Sequence, residues 1–322
     1  MTILRTSSTP VSGTRAVAVL AGLFIATFAV ATDAGVITSA TGPIRVNGQE
    51  VVLKAGEPLT LNPGDVIETL GANAVFQSGS GETGSGDRIT IERGTSARAD
   101  GVEDGVDFLF VESGTAYGDI SDKTSVGGSA GWASAPEGQA AKIFLEVPTN
   151  RPGSEATFRS IEGGIWVRYH DYRVWLPEQH TVTLAVDPAR PDRLAFRTSQ
   201  QNAGDVRVIK AVGGGDIITI VPKATVGRIA PEGVDKTRID NDIASLKTGK
   251  IRLETQYPGR SPQKAALGPG TYAVIDNATG DIQVSFSAVE FVILERAISL
   301  TQEFSTLSQS NFSDVGNEPG RR

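Results

Sequence analysis

Residues able to hold a ligand are densest in Trp166-Val-Arg-Tyr-His-Asp-Tyr-Arg-Val-Trp175. With His170-Asp171 as a two-residue hairpin turn, Tyr169 pairs with Tyr172, Val167 with Val174, and Trp166 with Trp175. Side chains alternate across a strand, so Val167, Tyr169, Tyr172 and Val174 share one face. Trp166, Arg168, Arg173 and Trp175 share the other. The first face reads as core. On the second, Arg168 opposite Arg173 is a like-charge pair, unfavourable unless something anionic or aromatic lies over it. This face is the expected partner-binding surface, for an anionic glycan, a carboxylate-bearing peptide or another protein domain. The competing reading packs the Trp pair under a neighbouring sheet and leaves the arginines in solvent.

The other motifs point to structure before chemistry. Gly79-Ser-Gly-Glu-Thr-Gly84 has the spacing of a dinucleotide-binding turn, but that turn must open a helix, and here the alternating stretch Arg88-Ile-Thr-Ile-Glu-Arg93 follows. No nucleotide is expected. Ser129 in Gly127-Gly-Ser-Ala-Gly131 has the spacing of a nucleophile elbow but lacks the strand-to-helix context. Asp100, Glu103, Asp104 and Asp107 gather carboxylates around two glycines. Calcium is the alternative there to a solvated acidic turn, although the spacing is not that of an EF-hand loop. The two histidines, His170 and His180, have no zinc-site spacing, and the chain has no cysteine. No carboxylate pair has a spacing that supports a glycosidase. The expectation is a protein without catalysis, cofactor or resident metal.

The bulk composition narrows the class. The 322 residues carry 39% hydrophobic and 21% charged side chains, enough for a packed core, and 37 glycines, which suit many turns. A net charge of −7 argues against a nucleic-acid surface. At the N-terminus, Arg5 and Arg15 precede the apolar run Ala16 to Ala31, which ends in Ala29-Val-Ala31. This is the form of a signal peptide over 1–31, and the run is short of the ~20 residues of a spanning helix. Export to the periplasm or cell surface is expected, with membrane attachment only if the segment is retained.

The elements that must position the aromatic cluster are strands. From Gly35, short apolar runs separated by Gly42, Gly48, Gly56, Gly64 and Gly71 predict an all-β module with tight corners. Gly42-Pro-Ile-Arg-Val46, then Gly56 and Leu59, then Gly64-Asp-Val-Ile-Glu-Thr69, followed by Ala74-Val-Phe76 and a Gly/Ser turn, resemble the FecR domain. The resemblance extends over 35–187, where Glu162-Gly-Gly-Ile-Trp-Val167 and Tyr172 to Leu184 look like its closing half; Glu178-Gln179 stands where that family has a glycine at the turn. It implies an extracytoplasmic β-sandwich or β-roll for protein or ligand interaction. The best-known members relay ligand status to a cytoplasmic region that controls a sigma factor. Only a short stretch precedes the apolar run here, so a stand-alone binding role is expected instead.

Pro188 to Pro191 is the expected boundary. Beyond it, 192–309 is expected as a smaller α+β region, either independent or a divergent second copy over 192–286. Val206 to Val212 and Asp216 to Val221 predict a hairpin. Pro231 to Lys247 predicts a helix, from its starting proline, early acids and Ile239, Ile243 and Leu246 at helical spacing. Strands are expected at Lys250–Glu254, Thr271–Ile275 and Asp281–Phe286. Val289, Ile293, Ala297, Leu300, Phe304 and Leu307 predict a C-terminal amphipathic helix, and 310–322 a disordered tail. The resulting expectation is a mainly β, non-catalytic interaction module of the cell envelope that binds a protein or glycan. The alternative is a self-associating structural or matrix protein, which open β edges permit.

Overall fold

The computed structural model describes residues 33–79, 86–103, 106–149, 154–187, 189–200, 204–212, 214–221, 225–231, 241–269 and 271–285. Among them the chain is all strand and turn, with 25 strands. The first part holds β1 (Val36–Ala40), β2 (Ile44–Val46), β3 (Gln49–Val51), β4 (Leu59–Thr60), β5 (Val66–Glu68), β6 (Ala74–Gln77), β7 (Arg88–Ile91), β8 (Ser96–Glu103) and β9 (Val106–Ser121). The middle holds β10 (Thr124–Gly128), β11 (Gly131–Ser134), β12 (Ala140–Val147), β13 (Glu155–Glu162), β14 (Ile165–Tyr169), β15 (Tyr172–Leu176), β16 (His180–Asp187) and β17 (Arg190–Gln200). The last part holds β18 (Val206–Val212), β19 (Gly215–Val221), β20 (Val226–Pro231), β21 (Asn241–Thr248), β22 (Ile251–Gln256), β23 (Gln263–Leu267), β24 (Tyr272–Asp276) and β25 (Ile282–Ser285).

The strands form two long ladders. Ladder A runs β4-β1-β6-β7-β9-β12-β13-β16-β17-β20-β21-β24-β25. Ladder B runs β3-β2-β5-β8-β9-β10-β11-β14-β15-β18-β19-β22-β23. All neighbours are antiparallel except β9 and β10.

Strand β9 belongs to both ladders, and its sequence shows how. Its inward residues are Asp107, Leu109 and Val111, then Ala116 and Ile120, so the period-two phase flips between 112 and 115. At the flip, Gly114 takes φ +100, and a Cβ there would lie 2.7 Å from the Thr95 Cα. Only glycine accepts that backbone and that approach. Three threonines satisfy the corner. The Thr69 Oγ1 accepts from the Thr95 N–H at 3.0 Å, and the Thr95 Oγ1 accepts from the Thr115 N–H at 2.9 Å. Glu112-Ser-Gly114 has the composition of a turn, yet the chain crosses ladders there without reversing.

After β11 one plan repeats. A hairpin adds two strands to ladder A (β12–β13), and the next adds two to ladder B (β14–β15). The units β16–β19 and β20–β23 repeat the step. Alternating burial, as in Val182, Leu184 and Val186 of β16 or Ile165 and Val167 of β14, supplies one continuous apolar core. Contacts inside that core tie the ladders together: the Tyr172 hydroxyl of β15 donates to the Asp192 carbonyl of β17 at 2.7 Å. Lys210 of β18 meets Asp242 of β21 at 2.7 Å.

The stretch 188–191, expected as a boundary, lies in the β16–β17 hairpin, where Asp187 pairs with Arg190, and both ladders run past it. All described residues fall in one compact unit. The helix expected over Pro231 to Lys247 is corrected as well. Residues 241–248 are strand β21, hydrogen-bonded to β20 on one side and β24 on the other; 232–240 lie outside the described residues. Ladder pairing on both sides outweighs a local helical spacing. The N-terminal segment 1–31, the amphipathic stretch from Val289 to Leu307 and the tail 310–322 also lie outside the described residues. No described helix is long and apolar enough to cross a membrane.

Candidate functional site: the outer face of ladder B

The hairpin that carries the aromatic cluster has the register its sequence predicts. Tyr169 pairs with Tyr172 across His170-Asp171, Val167 with Val174, Arg168 with Arg173 and Trp166 with Trp175. His170 takes φ +46, as such a turn requires of its first residue. Val167, Tyr169, Tyr172 and Val174 are buried, while Arg168 and Arg173 are exposed and both tryptophans half-buried. The Trp rings lie 5.1 Å apart at 51°, a tilted aromatic pair on the outer face of the ladder.

The ladder brings in a residue that the local sequence did not point to. Strand β11 pairs with β14 so that Trp132 stands opposite Arg168 and Ser134 opposite Trp166. All three tryptophans of the chain therefore share this face. Trp132 meets Phe108 edge-on at 5.1 Å and Phe110 at 5.6 Å. Beyond them the Arg98 guanidinium sits 4.9 Å over Phe110. On the other side, β18 sets Arg207 opposite Trp175 and Ile209 opposite Arg173.

Two glycines seat the indoles. A Cβ on Gly127 would come within 2.6 Å of the Trp132 ring, and one on Gly164 would overlap the Trp175 ring. Each ring lies where a neighbouring side chain is missing, which fixes its position before any partner arrives.

The charges on this face are one-sided. Strands β10, β11, β14, β15 and β18 contain no Asp or Glu, in a chain whose net charge is −7. Arg173 is met at 3.3 Å by Asp216 from β19. Arg98 is bound by Asp100 and Glu112, which hold its guanidinium firmly protonated, the hydrogen bond it donates to Asp100 acting most. Arg168 and Arg207 have no ion-pair partner among the described residues and are exposed. The outer face of ladder A is different. Thr157 pairs with Thr183, Arg159 with Thr181, and Thr183 with Arg197, a polar surface of short hydroxyl side chains and scattered charges.

The remaining sequence candidates do not converge on chemistry. Ser129 lies in the β10–β11 hairpin turn, and its buried hydroxyl has no partner among the described residues. His180 is fully buried on ladder A, its ring nitrogens facing the carbonyls of Glu178 at 2.7 Å and Gly204 at 3.2 Å. His170 packs edge-on against Tyr169. Asp100 serves Arg98, and Asp107 is buried on the opposite side of its ladder, where burial pushes its carboxyl up despite a hydrogen bond from the Gly79 backbone. Glu103 ends β8, and Asp104 lies outside the described residues. No group of three or more potential ligands is assembled among the described residues. Of the glycine-rich 79–84 stretch, which in the chain follows β6 and precedes β7, residues 80–84 lie outside the described residues.

A second polar cluster sits inside, between β18, β21 and β24. Asp242 accepts from Lys210 at 2.7 Å and from the Asn277 amide at 3.4 Å, and the Lys210 ammonium lies 5.6 Å from the Tyr172 ring centre. Beside it the buried Tyr257 ring packs against Gly215 and Gly280 at the back of an open recess of about 650 Å³ lined also by Asp216 and Arg260. Burial, then the nearby carboxylate of Asp242, pushes the Tyr257 phenol up, so it stays neutral.

Comparison of the chain with protein-family models, with curated proteins and with solved structures finds no match.

Proposed function

We propose that this protein is a non-catalytic interaction module of the cell envelope, FecR-like in its first part, exported through its N-terminal segment, with its two ladders as the faces of a β-sandwich. It binds a protein or glycan partner through the outer face of ladder B. The observation that carries this reading is the gathering of all three tryptophans, with Arg168, Arg173 and Arg207, on adjacent strands free of carboxylates. Aromatic and arginine side chains are what binding surfaces concentrate. The test is crosslinking of the tagged chain in its native envelope, beside a Trp166→Ala/Trp175→Ala variant. A partner captured by the first and lost by the second, with folding intact, supports the reading; identical capture by both sinks it.

A second reading, self-association into a structural surface component, draws on the ladder ends. Strands β3 and β23 each pair on one side only among the described residues, and open edges can accept another strand. Concentration-dependent oligomers in light scattering would favour it.

A further inference from the structure

We infer that the partner of the ladder B face is an acidic polysaccharide, its sugar rings lying on the tryptophans and its carboxylates paired with Arg168 and Arg207. The inference rests on the proposal that this face is the binding surface and adds the chemistry of what binds.

The geometry narrows the ligand class by elimination. Strands β10, β11, β14, β15 and β18 each have hydrogen-bonded neighbours on both sides, so a peptide cannot add itself there as a strand. A helix or a protein hot spot needs a groove or pocket to receive its anchors. Two open recesses on ladder B are lined by residues from β18 onward, one by Asp216 and Tyr257 and the other by Ile220 and Lys264, and neither of the two is lined by a tryptophan. What the face offers is a continuous run of paired strands carrying pre-seated aromatic rings. A ligand suited to it is extended, with C–H groups to set against the negative ring faces. Pyranose rings meet that description.

Charge sets the rest. Arg168 stands between Trp132 and Arg173 in one cross-strand row, and Arg207 stands beside Trp175 in the next. Both guanidinium groups are exposed and lack an ion-pair partner among the described residues. Neighbouring strands lie ~4.8 Å apart, so β11 to β18 spans about 14 Å across the sheet. Within that distance the two rows hold three tryptophans and the two cations without an ion-pair partner among the described residues, Arg168 and Arg207. A guanidinium binds a carboxylate through two parallel hydrogen bonds, which a neutral sugar cannot supply. The net charge of −7 would repel a polyanion elsewhere on the molecule, so binding is confined to this face.

The experiment titrates the full chain with a short oligogalacturonate, following tryptophan fluorescence, since every tryptophan of the chain reports on this face. The expected result is saturable and weakened by salt. A neutral oligosaccharide of equal length binds at least about tenfold more weakly, and so does polyglutamate. Arg168→Glu/Arg207→Glu alters only exposed side chains and loses about tenfold per arginine. The inference is overturned if the neutral sugar binds equally, if polyglutamate or anionic vesicles bind as tightly, or if scattering shows a second copy of the chain covering the face. If oligogalacturonate does not bind but Arg168→Glu/Arg207→Glu still abolishes capture in the envelope, the polysaccharide inference falls and the interaction surface stands. If capture is also unchanged, both fall.

Discussion

The buried pair Lys210–Asp242 gives the sharpest quantitative prediction. Asp242 is 0% exposed and Lys210 7%, with 2.7 Å between Nζ and Oδ2. At that distance and an effective dielectric of about 20, the gross attraction is about 6 kcal/mol. Desolvation of each ion takes back several kcal/mol, so the pair as a whole contributes little net stability. Losing one partner is another matter. Asp242→Asn keeps the shape and removes the charge, leaving an ammonium whose remaining described neighbours are the Tyr172 ring face and a neutral amide. Stranding a charge in this way costs about 3–5 kcal/mol. Lys210→Met strands the carboxylate, whose remaining bond among the described residues is the one from Asn277 at 3.4 Å, and costs a similar amount. Lys210→Met/Asp242→Leu removes both charges and falls within about 1 kcal/mol of the parent; with Asp242→Leu as the matching single variant, also costing about 3–5 kcal/mol, the coupling energy is about 5 kcal/mol or more. Urea unfolding reads this directly. A loss of 4 kcal/mol at a slope of about 3 kcal/mol/M lowers the midpoint by more than about 1 M with the slope unchanged. Single substitutions costing under about 1 kcal/mol each, or a double variant that loses their sum, would refute the claim that the pair is dry and coupled.

Three further outcomes follow from particular contacts. Asp107 has its carboxyl raised above the usual 3.8 by burial, so its contribution to stability is full below that value and lost as pH rises through the raised one. Asp107→Asn, which still offers an oxygen to the Gly79 N–H, is expected to be more stable than the parent at neutral pH. The gap should close on acidification toward 3.8 in thermal unfolding scans, and a gap that does not change with pH contradicts the assignment. Gly127→Ala would place a methyl within 2.6 Å of both the Gly131 carbonyl and the Trp132 ring, costing about 1–3 kcal/mol. Its signature is a changed near-UV aromatic spectrum with strand content intact; an unaltered spectrum means the ring is not seated there. Tyr172→Phe removes the donor to the Asp192 carbonyl and should cost about 1–3 kcal/mol in chemical unfolding, whereas no loss would show that water replaces the hydroxyl.

The sequence was most legible where pairing is local. A two-residue turn fixes register, so Trp166 to Trp175 could be laid out residue by residue; the hairpin of Val206–Val212 with its successor was legible as a hairpin, without its register. Trp132 escaped because its place depends on β11 pairing with β14, more than thirty residues away along the chain. The trace it leaves is small: one tryptophan in Gly131-Trp-Ala-Ser134, close to Gly127, whose missing side chain makes room for it. Likewise Glu112 to Gly114 carries the composition of a turn, yet the phase of the apolar residues on either side records a crossing between ladders.

The mistaken helix has the same physical root as the buried ion pair. In a half-buried strand, inward positions should be apolar, and that alternation is the main signal of a strand. Over 241–248 the inward positions include Asp242 and Ala244, one charged and one small. The alternation is thereby erased, and Ile239, Ile243 and Leu246 are left to suggest a helical spacing. Strand β18 has Lys210 at an inward position too, but Val206 and Val208 keep its pattern readable. A carboxylate in a core makes physical sense only beside its cation, and here the two residues lie 32 positions apart on different ladders. The strand identity of β21 is therefore specified jointly by two segments, and neither one states it alone. By the same argument the Asp242→Asn experiment also probes register: if the pair helps select which residues of β21 face the core, losing it should destabilise the β20–β21–β24 ladder first. Hydrogen exchange would show this as early loss of amide protection in β21 and β24 while β12–β16 stay protected, and uniform loss across both ladders would argue that the pair has no local role.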